Sequence, residues 1–64
     1  MIQLVGAESP SHAAVIANNA EDAGATTISI VRESTMIWHV FLRIPDDPDT
    51  IAAVRAVLGN TPRR

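Results

Sequence analysis

The 64-residue sequence has no cysteine, no lysine and no tyrosine, and its aromatic residues are only Trp38 and Phe41. Without cysteine, neither a disulfide scaffold nor a zinc site with thiolate ligands can form. A chain this short buries only ~60% of the surface that its unfolded form exposes, so its margin of stability is small. We therefore expect it to gain stability by self-association or by attachment to a larger chain.

Positive charge is also scarce, because five arginines stand against seven carboxylates and the formal net charge is −2. Arg32, Arg43 and Arg55 are too few and too scattered for the basic face that a nucleic-acid partner needs. No apolar run approaches the ~20 residues of a membrane span, and the N-terminus lacks the basic segment of a signal peptide. We expect a cytoplasmic protein that binds neither nucleic acid nor membranes.

Aliphatic residues dominate what is present, with ten alanines, seven isoleucines, six valines and three leucines. Their periodicity predicts five elements in the order β-α-β-β-α. The strands cover residues 2–5, 27–32 and 37–44, and the helices cover 10–23 and 48–58.

Each predicted helix begins with a capping residue followed by proline, Ser9-Pro10 in the first and Asp47-Pro48 in the second. Gly24, with a positive φ, and Gly59 are expected to end them. Alternation then divides the strands into two faces. The face expected to meet the helices carries Ile2, Leu4, Ile28, Ile30, Trp38, Val40, Leu42 and Ile44. The opposite face, here called the open face because no helix is expected to cover it, keeps an apolar patch, which is a candidate partner surface.

A strand-helix-strand crossover is right-handed, so the first two strands should run parallel, with the third beside the first. The second helix of such a unit leads to a fourth strand, which we expect next to the second strand. That fourth strand is missing here, and residues 60–64 form a polar tail. The prediction is an α+β, ferredoxin-like β-α-β-β-α sandwich with its fourth strand absent or supplied by a partner, and with an open edge at the second strand.

Catalytic and metal sites are not expected. His12 and His39 lack the H-x-x-x-H spacing of metal ligands, and we interpret them as an exposed residue of the first helical turn and a strand residue on the open face. Asp46, Asp47 and Asp49 resemble a calcium loop, but Pro48 interrupts them and the glycine and glutamate of such a loop are missing. We interpret them as residues of the helix N-terminus. A small dimeric enzyme would require one of the two histidines as its base.

The turn after the first strand is the best candidate for a ligand site. The first N–H groups of a helix are unpaired, and with the helix dipole they can hold a carboxylate or a phosphate. Gly6 permits close approach of a ligand, and Glu8, Ser9, Ser11 and His12 would surround it with polar groups. The alternative is plain capping by Ser9, which needs no ligand.

The stretch Gly6-Ala7-Glu8-Ser9-Pro10, followed by Gly24-Ala25-Thr26-Thr27-Ile28-Ser29-Ile30, resembles the ACT domain family over residues 1–59. The resemblance implies a ferredoxin-like module that senses small molecules, often amino acids, and pairs with another copy. It also implies that Glu8, Ala25 and Thr26 lie at ligand-binding positions. The sequence departs from the family pattern at Ser11 and His12, where a glycine and a bulky apolar residue are usual. The second stretch also looks like ACT segments that follow paired CBS domains.

We therefore expect a single regulatory domain over residues 1–59. It would bind a small-molecule effector, an amino acid or a related anion, without a cofactor. The Gly6–His12 and Gly24–Thr27 turns, expected at one end of the sheet, would hold this effector between the subunits of a homodimer or higher oligomer and alter their association. The alternative is a ligand-free dimerisation or assembly module of a larger protein.

Overall fold

A computed structural model describes residues 1–60, which form a three-stranded antiparallel sheet and two helices. The elements are β1 (Ile2–Ala7), α1 (Pro10–Asp22), β2 (Thr26–Ser34), β3 (Ile37–Arg43) and α2 (Pro48–Asn60). The α+β class and the order of the elements are confirmed. Residues 61–64 of the expected polar tail lie outside the described residues. Gly59 was expected to end α2 but lies within it, and Asn60 belongs to the helix rather than to a tail.

Helix α1 ends at the predicted glycine. Gly24 has a φ of 114°, and the N–H of Ala25 donates to the carbonyl of Ala20 at 2.9 Å, as in a Schellman motif. A Cβ at position 24 would lie 2.9 Å from Cγ2 of Thr50, so the end of α1 touches the start of α2. Only glycine combines this backbone conformation with this close approach.

The strands are arranged in the order β1-β3-β2, and both outer strands pair antiparallel with β3. Both β1 and β2 are therefore edges of the described sheet, whereas the sequence had indicated β2 alone. Because β3 runs opposite to β1, a right-handed crossover through α2 would place a further strand beyond β1. By this argument a fourth strand, expected beside β2, would lie beside β1 instead.

The core lies between the sheet and the helices. Val40, Leu42 and Ile44 from the β3 region are fully buried together with Val54 of α2. Burying each such side chain contributes ~1.5–3 kcal/mol. Helix α1 adds mainly small residues, which let it approach the sheet closely: Ala13, Ile16, Ala17 and Ala20 are all buried.

Strand β1 presents the opposite face from the one predicted. Val5 pairs with Val40, and directly paired residues share a face of the sheet, so Val5 lies under the helices. Ile2 and Leu4 consequently lie on the open face, where they are 57% and 50% exposed. The alternation was real, but a strand with apolar residues on both faces does not reveal which face is covered.

A β-bulge explains the error at Ile28 in β2. Thr27 pairs with buried Leu42, but the register shifts before Ser29, which pairs with Phe41 on the open face. A bulge sets two residues against one and breaks the two-residue period. Ile28 is 48% exposed at this bulge, while Ile30 returns to the face of Val40.

Candidate functional site

The predicted ligand residues lie at two ends of the sheet rather than one. Gly6 pairs with His39 near the β2–β3 hairpin, whereas Thr26 pairs with Arg43 at the far end. Between them α1 spans 13 residues, a length of ~20 Å. The expectation that both turns share one end is wrong, because α1 crosses the whole sheet. Glu8, Ser9, Ser11 and His12 stay with Gly6, whereas Ala25 stays with Thr26.

The start of α1 uses its polar groups for capping. The Ser9 Oγ accepts a hydrogen bond from the His12 N–H at 3.0 Å, and the Ser9 carbonyl accepts from the Ala13 N–H at 2.9 Å. The Glu8 N–H donates to Nδ1 of His12 at 3.2 Å. Capping by Ser9 is confirmed. The N–H groups of Glu8 and His12, which an anion could have used, are therefore already bonded within the chain.

His12 was expected to be exposed, but its side chain is buried and the residue is only 8% exposed. The reason is local, because the ring folds back over the turn to accept the Glu8 N–H. Since Nδ1 accepts, the proton of the neutral imidazole is on Nε2. That Nε2–H has no hydrogen-bond partner among residues 1–60. His12 therefore offers one unused donor from a buried ring.

A groove of about 460 Å³ lies beside this ring. It is lined by Val5, Gly6, Ala7, Glu8, His12, Ile16, Met36, Ile37 and Leu58. Its volume falls within the ~300–1,000 Å³ typical of small-molecule sites, and like them it has apolar walls and few polar groups. The polar side chains are Glu8, which is exposed, and His12, which is buried.

Six groove residues were not predicted as site residues. Val5, Ala7 and Ile16 lie on β1 and α1, next to residues that were predicted. The other three come from distant parts of the chain. Met36 and Ile37 come from the β2–β3 hairpin, and Leu58 comes from the last turns of α2. No local motif marks them, because they reach the groove only through the topology. Ser11, which the sequence had placed at the site, is exposed and does not line the groove.

The remaining polar groups do not form a metal centre. Nε2 of His39 lies 3.3 Å from a Glu33 carboxylate oxygen on the open face, which confirms the predicted position of His39. Within residues 1–60 no three histidine, aspartate or glutamate side chains converge to hold a metal ion. No helix in the same range is long and apolar enough to cross a membrane.

Comparisons with protein-family models, with curated proteins and with solved structures found no match to this chain. The resemblance to ACT domains therefore depends on the residues of the two turns alone. What the chain binds has to be argued from the groove and from the surfaces around it.

Proposed function

We propose that this chain is a cytoplasmic, non-catalytic regulatory module of ferredoxin-like, ACT type, which binds a small amphipathic effector in the groove. The observation that supports the proposal is the His12 ring, which is buried, held by the Glu8 N–H and left with an unused Nε2–H beside apolar walls. This Nε2–H is free to donate to a ligand acceptor that enters the groove.

An apolar amino acid fits the groove better than a plain anion does. Its carboxylate can accept from Nε2–H of His12, and its ammonium group can approach the Glu8 carboxylate. Its side chain can pack against apolar wall residues such as Ile16 and Leu58. A phosphate or dicarboxylate would instead meet the Glu8 carboxylate, and the His12 N–H that could have bound it is already used by the Ser9 cap.

Thermal unfolding tests this proposal directly. The midpoint should rise with the concentration of leucine, isoleucine or phenylalanine, and not with aspartate or nucleotides. A ligand at 100 times its Kd adds ~2.7 kcal/mol, which in a domain this small shifts the midpoint by ~10 °C or more. His12→Phe keeps a ring in place but removes both the Nε2–H donor and the Nδ1 acceptor of the Glu8 N–H, so it should abolish the response.

Ser11→Ala is the matched control, because Ser11 belongs to the same helical turn but does not line the groove. It should leave the ligand response intact. The proposal fails if no apolar amino acid raises the midpoint of the wild-type protein, or if the His12→Phe protein responds like wild type.

The open face of the sheet favours a second candidate, a ligand-free assembly module. Ile2, Leu4 and Ile28 are about half exposed there. In that case the unfolding midpoint would depend on protein concentration and would be insensitive to every amino acid.

A further inference from the structure

The face of the sheet opposite the helices is mostly apolar. We call it the open face and define it by its large apolar residues, Ile2, Leu4, Ile28, Val31, Ile37 and Phe41. The five aliphatic residues are between 46% and 57% exposed. Side chains of this size, half exposed, leave roughly 400 Å² of apolar surface on this face, which is in the range of the largest patches on monomers, and such patches are often functional.

The open face is large enough for a dimer if a second copy covers it. A two-fold interface uses the same patch twice, so its apolar area alone reaches ~800 Å². Ser29, His39 and Arg43 lie on the same face and add polar area. The total then exceeds the ~1,000 Å² that a specific interface needs. Two such sheets pack face to face at ~10 Å, as in a β-sandwich.

Charge is unevenly distributed along the open face. Glu33 and His39 form their pair at the hairpin end, whereas Arg43 lies at the opposite end beside Ile2. His39 and Arg43 are four positions apart along β3, a distance of ~13 Å. With neutral histidine, one end of the open face is therefore negative and the other is positive.

This distribution distinguishes two ways of stacking the sheets. If the strands of the two copies ran parallel, Glu33 would face Glu33 and Arg43 would face Arg43. If they run antiparallel, Arg43 of each copy faces Glu33 of the other, and the attraction occurs twice. Complementary charges fix the register of an interface in this way.

From these observations we infer that the open face docks a second copy of this chain, with strands antiparallel across the interface and Arg43 of each copy against Glu33 of the other. The pairing requires no ligand and goes beyond the proposed function. It also carries Thr26, at the Arg43 end, to the hairpin end of the second copy.

Sedimentation equilibrium of the full chain tests the docking surface. The wild type should be a dimer, and Leu4→Lys should weaken dimerisation by ~100-fold or more, because the charge would be buried at its centre. Leu4 is half exposed, so the monomer should still fold, which circular dichroism checks. Val15→Lys is the matched control, since Val15 is similarly exposed (42%) but lies on α1, and it should dimerise like wild type.

Charge reversal tests the orientation. Arg43→Glu and Glu33→Arg should each weaken the dimer by ~5-fold or more, and the double reversal should restore it. A double variant as weak as the single ones would overturn the antiparallel arrangement. A wild type that is monomeric at every concentration, or a Leu4→Lys protein that stays dimeric, would overturn the docking surface itself. Amino-acid titration of the Leu4→Lys monomer tests the groove separately, because Leu4 does not line the groove, although Ile37 borders both surfaces.

Discussion

The starts of α1 and α2 carry the same signal, Ser9-Pro10 and Asp47-Pro48, yet they differ in what surrounds them. At α2 the Asp47 carboxylate accepts from both the N–H (3.0 Å) and the hydroxyl (2.6 Å) of Thr50, and all of these groups face solvent. At α1 the third helical residue is His12, whose ring is buried beside the groove.

The comparison shows that a capping signal locates a helix start without revealing whether a site adjoins it. His12 and Thr50 occupy the same position relative to their caps. His12 accepts the Glu8 N–H at Nδ1 and keeps its Nε2–H, on the other side of the ring, unused. Thr50 donates both its N–H and its hydroxyl to the Asp47 carboxylate that caps its helix. The side chain at this position, rather than the cap, distinguishes the two ends.

Truncation of His12 and of Thr50 should give the largest difference in stability between the two helix starts. His12→Ala leaves the Glu8 N–H without its acceptor and opens a cavity in the groove wall, so we expect a loss of ~2–3 kcal/mol in the free energy of unfolding. Thr50→Ala should lose less than ~1 kcal/mol, because the hydrogen bond that it removes is exposed to solvent and its side chain is only half-buried. Urea unfolding of both variants measures the difference, and equal losses would show that the two helix starts are equivalent.

Removing the cap of α1 should have a smaller effect. Ser9→Ala takes the acceptor from the His12 N–H and should cost ~1 kcal/mol, whereas Ser9→Asp should keep most of the stability. Because the cap orients the same residue whose ring borders the groove, the imidazole NMR signals of His12 should shift in Ser9→Ala. Unchanged imidazole signals would mean that the cap and the ring are independent.

The smallest effect is expected at α2, and it depends on pH. Hydrogen bonds from the side chain and backbone of Thr50 lower the pKa of Asp47 below its ordinary value of 3.8. The carboxylate therefore stabilises the fold above the ordinary pKa, and this contribution is lost as the pH falls through the lower, folded-state value. Asp47→Asn keeps a capping group but cannot titrate, so its urea-unfolding stability should fall less steeply below pH 4. An unchanged acid slope would assign the loss to other carboxylates.

Local signals predicted much of the fold. The order of the elements, both helix caps and the stop at Gly24 are determined within a few residues, by side chains that bond nearby backbone groups or by a conformation that only glycine adopts freely. These features are present in the structure.

Features that depend on distant residues were not predictable in the same way. Burial of His12 depends on its own turn and on groove walls from the hairpin and α2. The bulge at Ile28 interrupts the alternation of apolar and polar residues in β2, and no residue pattern in the sequence marks it. The separation of Gly6 from Thr26 follows from the length of α1. The sequence therefore grouped the residues of the Gly6–His12 turn, which do lie together, with those of the Gly24–Thr27 turn, which lie at the far end of the sheet.

The contact between Gly24 and Thr50 has a consequence for how this sequence can vary. Thr50 fills the space that a side chain at position 24 would need, and the same Thr50 holds the cap of α2. A side chain at position 24 would thus displace the residue that starts the other helix. Among homologous sequences, we expect substitutions at 24 and 50 to occur together, with the change at 50 first.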